Sequence, residues 1–240
     1  MKPDETVGYI LKTVDYGDHG KILYAYTSSG IISAIARGVK KMHSPLRHLV
    51  QAGMLVTMHL SKSKFPTLKE ASMVKYHQAI RNDIIKTTVA STVRELIYYN
   101  VNEHDDHPKL FNFVLKFLDV LDTTEAPLEL LMVFEMKFLY FLGYGISFNR
   151  CSRCEVSEKL SLDLYTGMMF CEQHADENTS LIKHETYQPL QYYLHVDVLK
   201  FQPLKLNKTT QTILSNIIDS LYETHLSTKT KAKQLLKSID

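Results

Sequence analysis

The chain has 240 residues, 45% of them hydrophobic, enough for one large domain or two of moderate size around real cores. No run approaches the ~18 apolar residues that a membrane-spanning helix needs, and MKPDETVGYI lacks the charged-then-apolar pattern of a signal peptide, so a cytoplasmic location is expected. All three cysteines lie within 21 residues, which fits reduced thiols better than a secreted disulfide framework, and the net +2 is uneven: residues 1–80 hold eleven Lys/Arg against five Asp/Glu (+6), residues 81–240 seventeen against twenty-one (−4).

The basic third reads in period two. VGYILKTV is rich in β-branched and aromatic residues, and in KILYAYT the residues Ile22, Tyr24 and Tyr26 alternate with Leu23, Ala25 and Thr27. Ser28, Ser29 and Gly30 supply a turn, and IISAIAR resumes the alternation. Further on, MLVTMHL sets Met54, Val56, Met58 and Leu60 on one face, and TLKEASMVKYH is a fifth candidate strand. Between the third and fourth strands, SPLRHLVQAG predicts a short helix, with Ser44 as N-cap, Pro45 at the first helical position, Leu46, Leu49 and Val50 on one face and Gly53 as the stop. Strand, strand, strand, short helix, strand, strand is the order of a five-stranded OB-type barrel, whose first and last connecting loops flank a nucleic-acid groove. Here those loops are DYGDHG, with Tyr16 and His19, and SKSKFP, with Lys62, Lys64 and Phe65.

From residue 83 the period turns helical. DIIKTTVASTVRELIYYNV repeats Ile85, Val89, Val93 and Leu96; PKLFNFVLKFLDVL starts on Pro108; PLELLMVFEMKFLYFLGYG starts on Pro127, is apolar around most of its circumference and stops at Gly143, as the centre of a bundle does. TTQTILSNIIDSLYETHL places Ile213, Ile217 and Leu221 on one stripe, and a short amphipathic KAKQLLKS follows. The whole is an α+β chain, read as a barrel domain over 1–80 and a helical domain over 81–240, with a small insertion at 149–176.

That insertion carries Cys151, Cys154, Cys171 and His174, spaced C-x2-C, sixteen residues, C-x2-H. Ligands two residues apart let one tight turn present both side chains to the same point, and the spacing is that of a structural zinc ribbon. LSLDLYTGMMF reads as a hairpin, turning near Thr166 and Gly167, that returns the second pair to the first. Two readings stand: a Cys3His zinc clip, or a site that has lost its metal. A redox C-x-x-C lacks its βαβ setting, and four protein ligands leave no open position for catalysis. There is no Gly-rich phosphate loop, no G-x-S-x-G and no H-E-x-x-H, so nothing points to an enzyme.

RGVKKMHSPLR concentrates Arg37, Lys40, Lys41 and Arg47 at a strand end. Such a cluster neutralises phosphates, and Tyr24, Tyr26 and Phe65 are near in sequence for stacking on bases; a plain solvated surface is the competing reading, and Tyr24 and Tyr26, on one strand face, suit the core equally well.

In this order the pieces resemble the RecO family of recombination mediators in bacterial DNA repair. The resemblance rests on GYILKTVDYGDHGKILYAYTSSG, on ARGVKKMHSPL and on FEMKFLYFLGYGISFNRCSRC, and it spans nearly the whole chain. It implies an N-terminal OB domain, a helical domain and a zinc-binding insertion. It also implies binding of single- and double-stranded DNA, annealing of complementary strands, contact with the single-strand-binding protein through its C-terminal tail, and loading of RecA together with RecR. Arg37, Lys40, Lys41 and Arg47 fall on the family's basic motif. The departure is His174, where zinc-bearing members generally carry a second C-x2-C. A protein-binding adaptor with incidental DNA contact is the alternative that the acidic helical part keeps open.

Overall fold

The structure is a computed structural model that describes residues 4–103, 107–145, 147–163, 166–176, 181–182 and 184–239. It resolves into two compact units, one of residues 1–123 with 230–240 and one of 124–229. This grouping differs from a division at residue 80: the first three helices and the C-terminal helix cluster with the barrel.

In the first unit, β1 (Asp4–Tyr16), β2 (Gly20–Thr27), β3 (Gly30–Ala36), β4 (Leu55–Leu60) and β5 (Leu68–Lys75) form an antiparallel sheet in the order β3-β2-β1-β4-β5. Thirteen residues let β1 serve two partners: Asp4 to Tyr9 pair with β4, and Tyr9 to Tyr16 pair with β2. The register slips between Ile10 and Lys12, leaving Leu11 as a bulge that bends the strand from one partner toward the other. A parallel bridge from Ile35 to Thr67, with the Ile35 N–H donating to the Pro66 carbonyl at 2.8 Å, closes β3 onto β5. The five strands thus form the expected OB-type barrel. Ile10, Leu23, Ala25, Ala34, Val56, Met58, Leu60 and Leu68 fill its interior, and Met54, Val56, Met58 and Leu60 are all buried, as their alternation predicts.

The predicted helix over 44–53 does not form. The segment is a run of turns in which Arg47 N–H donates to the Ser44 carbonyl and Leu49 N–H to the Leu46 carbonyl, both at 3.1 Å. Its apolar set still does its work, since Leu49 and Val50 join the barrel core and Leu46 packs against it. The ladder overrides the helix: Gly53 N–H donates to the Ile10 carbonyl and Ile10 N–H to the Met54 carbonyl, both at 2.8 Å, so the backbone must already be extended there. Gly53, at φ +86°, makes that reversal.

Around the barrel, α1 (Gln78–Asn82), α2 (Ile84–Asn100), α3 (Pro108–Thr123) and α7 (Lys231–Ile239) complete the unit. Asp83 caps α2 by accepting from the Lys86 N–H at 3.0 Å, and α2 buries Val89, Val93, Leu96 and Ile97. Of the two readings open for Tyr26, core or stacking platform, the structure shows the first: it is fully buried and packs edge-on against Phe111 of α3.

The second unit holds α4 (Pro127–Phe141), α5 (His184–His195) and α6 (Lys208–His225), with a small sheet of β6 (Leu160–Asp163), β7 (Met169–Cys171) and β8 (Leu181–Ile182). α4 is buried on nearly all sides. Its two acids are buried too, and Glu129 accepts from the Tyr193 hydroxyl and the Leu204 N–H. On α6 the buried stripe is Leu214, Ile217, Ile218, Leu221 and Tyr222; Ile213 lies one position off it and is exposed. Leu164 and Tyr165 of the predicted hairpin lie outside the described residues.

Candidate nucleic-acid interface and metal centre

Closure of the barrel decides which charges meet. The end of β3 pairs with the start of β2, Ala36 opposite Lys21, and the start of β5 lies on its other side. Three segments distant in sequence therefore gather at one end: the β1–β2 loop, the turns after β3, and the β4–β5 loop. Lys40 N–H donates to the His19 carbonyl at 3.1 Å, and Lys40 Nζ reaches Asp15 Oδ2 at 2.9 Å, tying the basic turns to the first loop. That cation holds the Asp15 carboxyl below its ordinary value. Arg37, Lys41 and Arg47 are exposed. In the β4–β5 loop Lys62 and Lys64 are exposed, Phe65 is 71% exposed, and Lys64 Nζ stands 6.0 Å from the centre of its ring. An apolar ring at that exposure has nothing to bury against in its own unit.

The outer strand faces add residues beyond those that charge and loop position had singled out. Lys12 and Val14 project from β1 and are exposed, on the same strand as exposed Tyr16 of the first loop. Tyr24, opposite Lys12 on β2, sits edge-on to Tyr98 of α2 at 5.6 Å, with Lys12 Nζ 5.0 Å from the Tyr98 ring centre. Period-two alternation carries the signal for Lys12; Tyr98 comes from a helix some 80 residues on, and only the fold brings it there.

The metal-ligand set is local. β6 and β7 pair with Leu160 opposite Cys171 and Leu162 opposite Met169. The first C-x2-C knuckle is laced to this hairpin by Ser152 N–H donating to the Met169 carbonyl at 2.7 Å, and is closed on itself by Cys151 N–H to the Val156 carbonyl at 2.8 Å. The second knuckle turns through His174 N–H to the Cys171 carbonyl at 2.9 Å. The four ligand atoms lie within 4.8 Å of one another. Cys154 Sγ is 3.8 Å from Cys171 Sγ, and His174 Nδ1 is 3.3 Å from Cys171 Sγ and 3.5 Å from Cys151 Sγ. A tetrahedron with Zn–S of ~2.3 Å and Zn–N of ~2.0 Å has edges of about 3.8 Å between sulfurs and about 3.5 Å between sulfur and nitrogen. The cluster fits such an ion and fills all four positions, which leaves none for a reacting group.

Electrostatics prepares one ligand in advance. Burial raises the Cys151 thiol, but backbone N–H groups of Cys171, Arg153 and Cys154 outweigh it and bring the pKa down to about 6. For Cys154 the Val156 N–H works downward, and burial with the neighbouring thiols of Cys151 and Cys171 carries it up. Adjacent thiolates repel, and a divalent cation is what allows them to be charged together. The clip is anchored by Tyr187 of α5, whose hydroxyl donates to the Leu160 carbonyl at 3.2 Å and whose ring stacks on Phe148 at 5.7 Å.

A five-stranded OB barrel with a basic rim, followed by a helical unit that carries a Cys3His cluster, defines a nucleic-acid-associated class of protein. The chain belongs to the RecO family of DNA repair proteins. The family model for the N-terminal part of recombination protein O matches residues 1–77, and that for its C-terminal part matches residues 81–234. A DNA repair protein RecO of Clostridium perfringens is 29% identical, over 98% of this chain and 98% of its own. Those of Bacillus subtilis and Bacillus mycoides are 27% and 24% identical over 97% of this chain and 93% and 96% of theirs. Among the described residues no helix is long and apolar enough to cross a membrane.

Proposed function

We propose that the chain is a non-catalytic mediator that holds single- and double-stranded DNA on the basic end and outer face of its barrel. Complementary strands held there anneal, and strands pass between this protein and the single-strand-binding protein, whose C-terminal tail it engages. With RecR it helps RecA load onto the coated strand, in the cytoplasm at the nucleoid. The observation that carries the reading is the meeting at one end of the barrel of the turns that bear Arg37, Lys40 and Lys41 with the β4–β5 loop that bears Lys62, Lys64 and exposed Phe65; Arg47, further along those turns, adds an exposed cation. Cations there neutralise phosphates and release counterions, while Phe65 and Tyr16 offer faces to bases in any sequence. Cys151, Cys154, Cys171 and His174 hold one structural Zn2+ that fixes the hairpin of the helical part.

The test is single-stranded DNA affinity across a salt series, for the wild type and for an Arg37→Ala, Lys40→Ala, Lys41→Ala variant. Loss of three phosphate contacts lowers the slope of log K against log salt by about 2, at ~0.7 per contact. Unchanged affinity and slope would remove this surface from the function and favour a protein-binding adaptor.

A further inference from the structure

One cavity of the first unit is not used by that reading. It holds about 180 Å3 and is lined by Tyr9 of β1, Gly53 before β4, His77, Arg81 of α1, and Thr87 and Arg94 of α2, with apolar residues between. That is well above the ~10–15 Å3 one water requires, room for a tetrahedral oxyanion with some of its waters. The lining contains two guanidinium groups, a phenol, a threonine hydroxyl and an imidazole, and no acid. A carboxylate nearby, Asp119, accepts from Lys75 Nζ at 2.6 Å and bonds His77 Nε2 at 3.1 Å, so it answers those two groups and leaves the arginines to the cavity.

Arg94 is half-buried, and Nη2 donates to Ser91 Oγ at 2.7 Å. A guanidinium taken out of water without a carboxylate is costly; beside Ser91, Arg94 also bonds the Tyr9 hydroxyl, and the donors left after these two suit an anion. Its position is also built into the backbone: a Cβ on Gly53 would stand 2.6 Å from Arg94 Nη1, and Gly53 has φ +86°. Arg81 is the more exposed of the two; it lies 5.1 Å from the centre of the Tyr76 ring and contacts Met54 Sδ. Tyr9 is 1% exposed; burial pushes its phenol up, and the charges of Arg94 and Arg81 both act on it in the opposite direction, which places both cations beside one hydroxyl.

We infer that this cavity is a receptor for a phosphate dianion, supplied as free orthophosphate or as the terminal phosphomonoester of a nucleic-acid strand. Two planar forks and a phenol match the several oxygens and double charge of a phosphate, whereas one carboxylate satisfies a single fork.

The experiment titrates the full chain with orthophosphate at constant ionic strength, following the thermal midpoint and the 31P resonance. Saturable binding is expected, weakened at least tenfold in Arg81→Gln and in Arg94→Lys. Arg81 is on the surface, so its variant folds and keeps the test open if Arg94→Lys does not. A second arm compares a 5′-phosphorylated oligonucleotide with its 5′-hydroxyl twin: a preference that Arg81→Gln abolishes identifies the strand end as the source, and equal affinity with orthophosphate binding intact identifies the free ion. No saturable orthophosphate binding, or binding untouched by Arg81→Gln, overturns the inference and leaves the proposed DNA role as it was.

Discussion

At position 174 an imidazole nitrogen faces two sulfurs at distances that suit a shared tetrahedral ion, and the side chain there decides how the cluster behaves. Three thiolates and a neutral imidazole around Zn2+ leave one net negative charge, and a fourth thiolate would leave two. His174→Cys keeps four soft ligands on the same knuckle, so metal is retained. His174→Ala removes a ligand from a turn that otherwise stays closed, because the His174 N–H bond to the Cys171 carbonyl is made by the backbone. Competition against a coloured chelator should give one zinc per chain for wild type and His174→Cys, and at least a tenfold loss in affinity, about 1.4 kcal/mol, for His174→Ala. Wild type that carries no metal after purification without chelator would identify the cluster as a remnant.

Between elements, Asp119 of α3 ties the end of β5 to a helix through Lys75 and His77. Its partial burial acts to raise the carboxyl, but the bonds and charges of Lys75 and His77 prevail and hold it below its ordinary 3.8. A carboxyl lowered in the folded state stabilises above 3.8, and the contribution fades as pH falls through the folded value. Asp119→Asn is therefore expected to cost about 1 kcal/mol at pH 7, a figure kept small because the side chain is 45% exposed, and urea midpoints of the two proteins should converge below pH 3.8. Elements also differ in how legible they are in the sequence. Strands with alternating apolar residues and helices opened by proline or aspartate are read directly, because their signals are local. The turns at 44–53 carry an equally good local helix signal and lose to the β1–β4 ladder, which is not local. α5 escapes the period because Pro189 interrupts it and Glu185, Thr186, Gln188 and Gln191 break up its apolar stripe. The Cys3His set is legible from spacing alone. The rim at Arg37 is legible as charge, but the contacts of Lys40 with Asp15 and His19 need the β1–β2–β3 pairing, and the approach of Pro66 needs β3 closed onto β5.

For the whole molecule, the division of chemistry between the two units has a measurable consequence. All four candidate metal ligands fall within residues 124–229, and all eight residues proposed to hold DNA, Tyr16 included, fall within the barrel unit. An ion bound only by the folded state stabilises by about 4 kcal/mol at a thousandfold excess over its Kd, and that stabilisation acts where the ligands are. Chelation should thus loosen the hairpin first: hydrogen exchange at the amides of Cys151 and His174, which close the two knuckles, is expected to speed up, while amides of the β1–β2 and β1–β4 ladders keep their protection. Single-stranded DNA affinity measured in parallel should stay within about twofold and keep its salt slope, because no phosphate-binding cation has moved or changed charge. A loss of slope on chelation as large as that of the Arg37, Lys40, Lys41 variant would mean that the metal-bearing unit itself supplies phosphate contacts. The zinc clip would then have to be counted as part of the DNA surface and not only as a fastening of the helical unit.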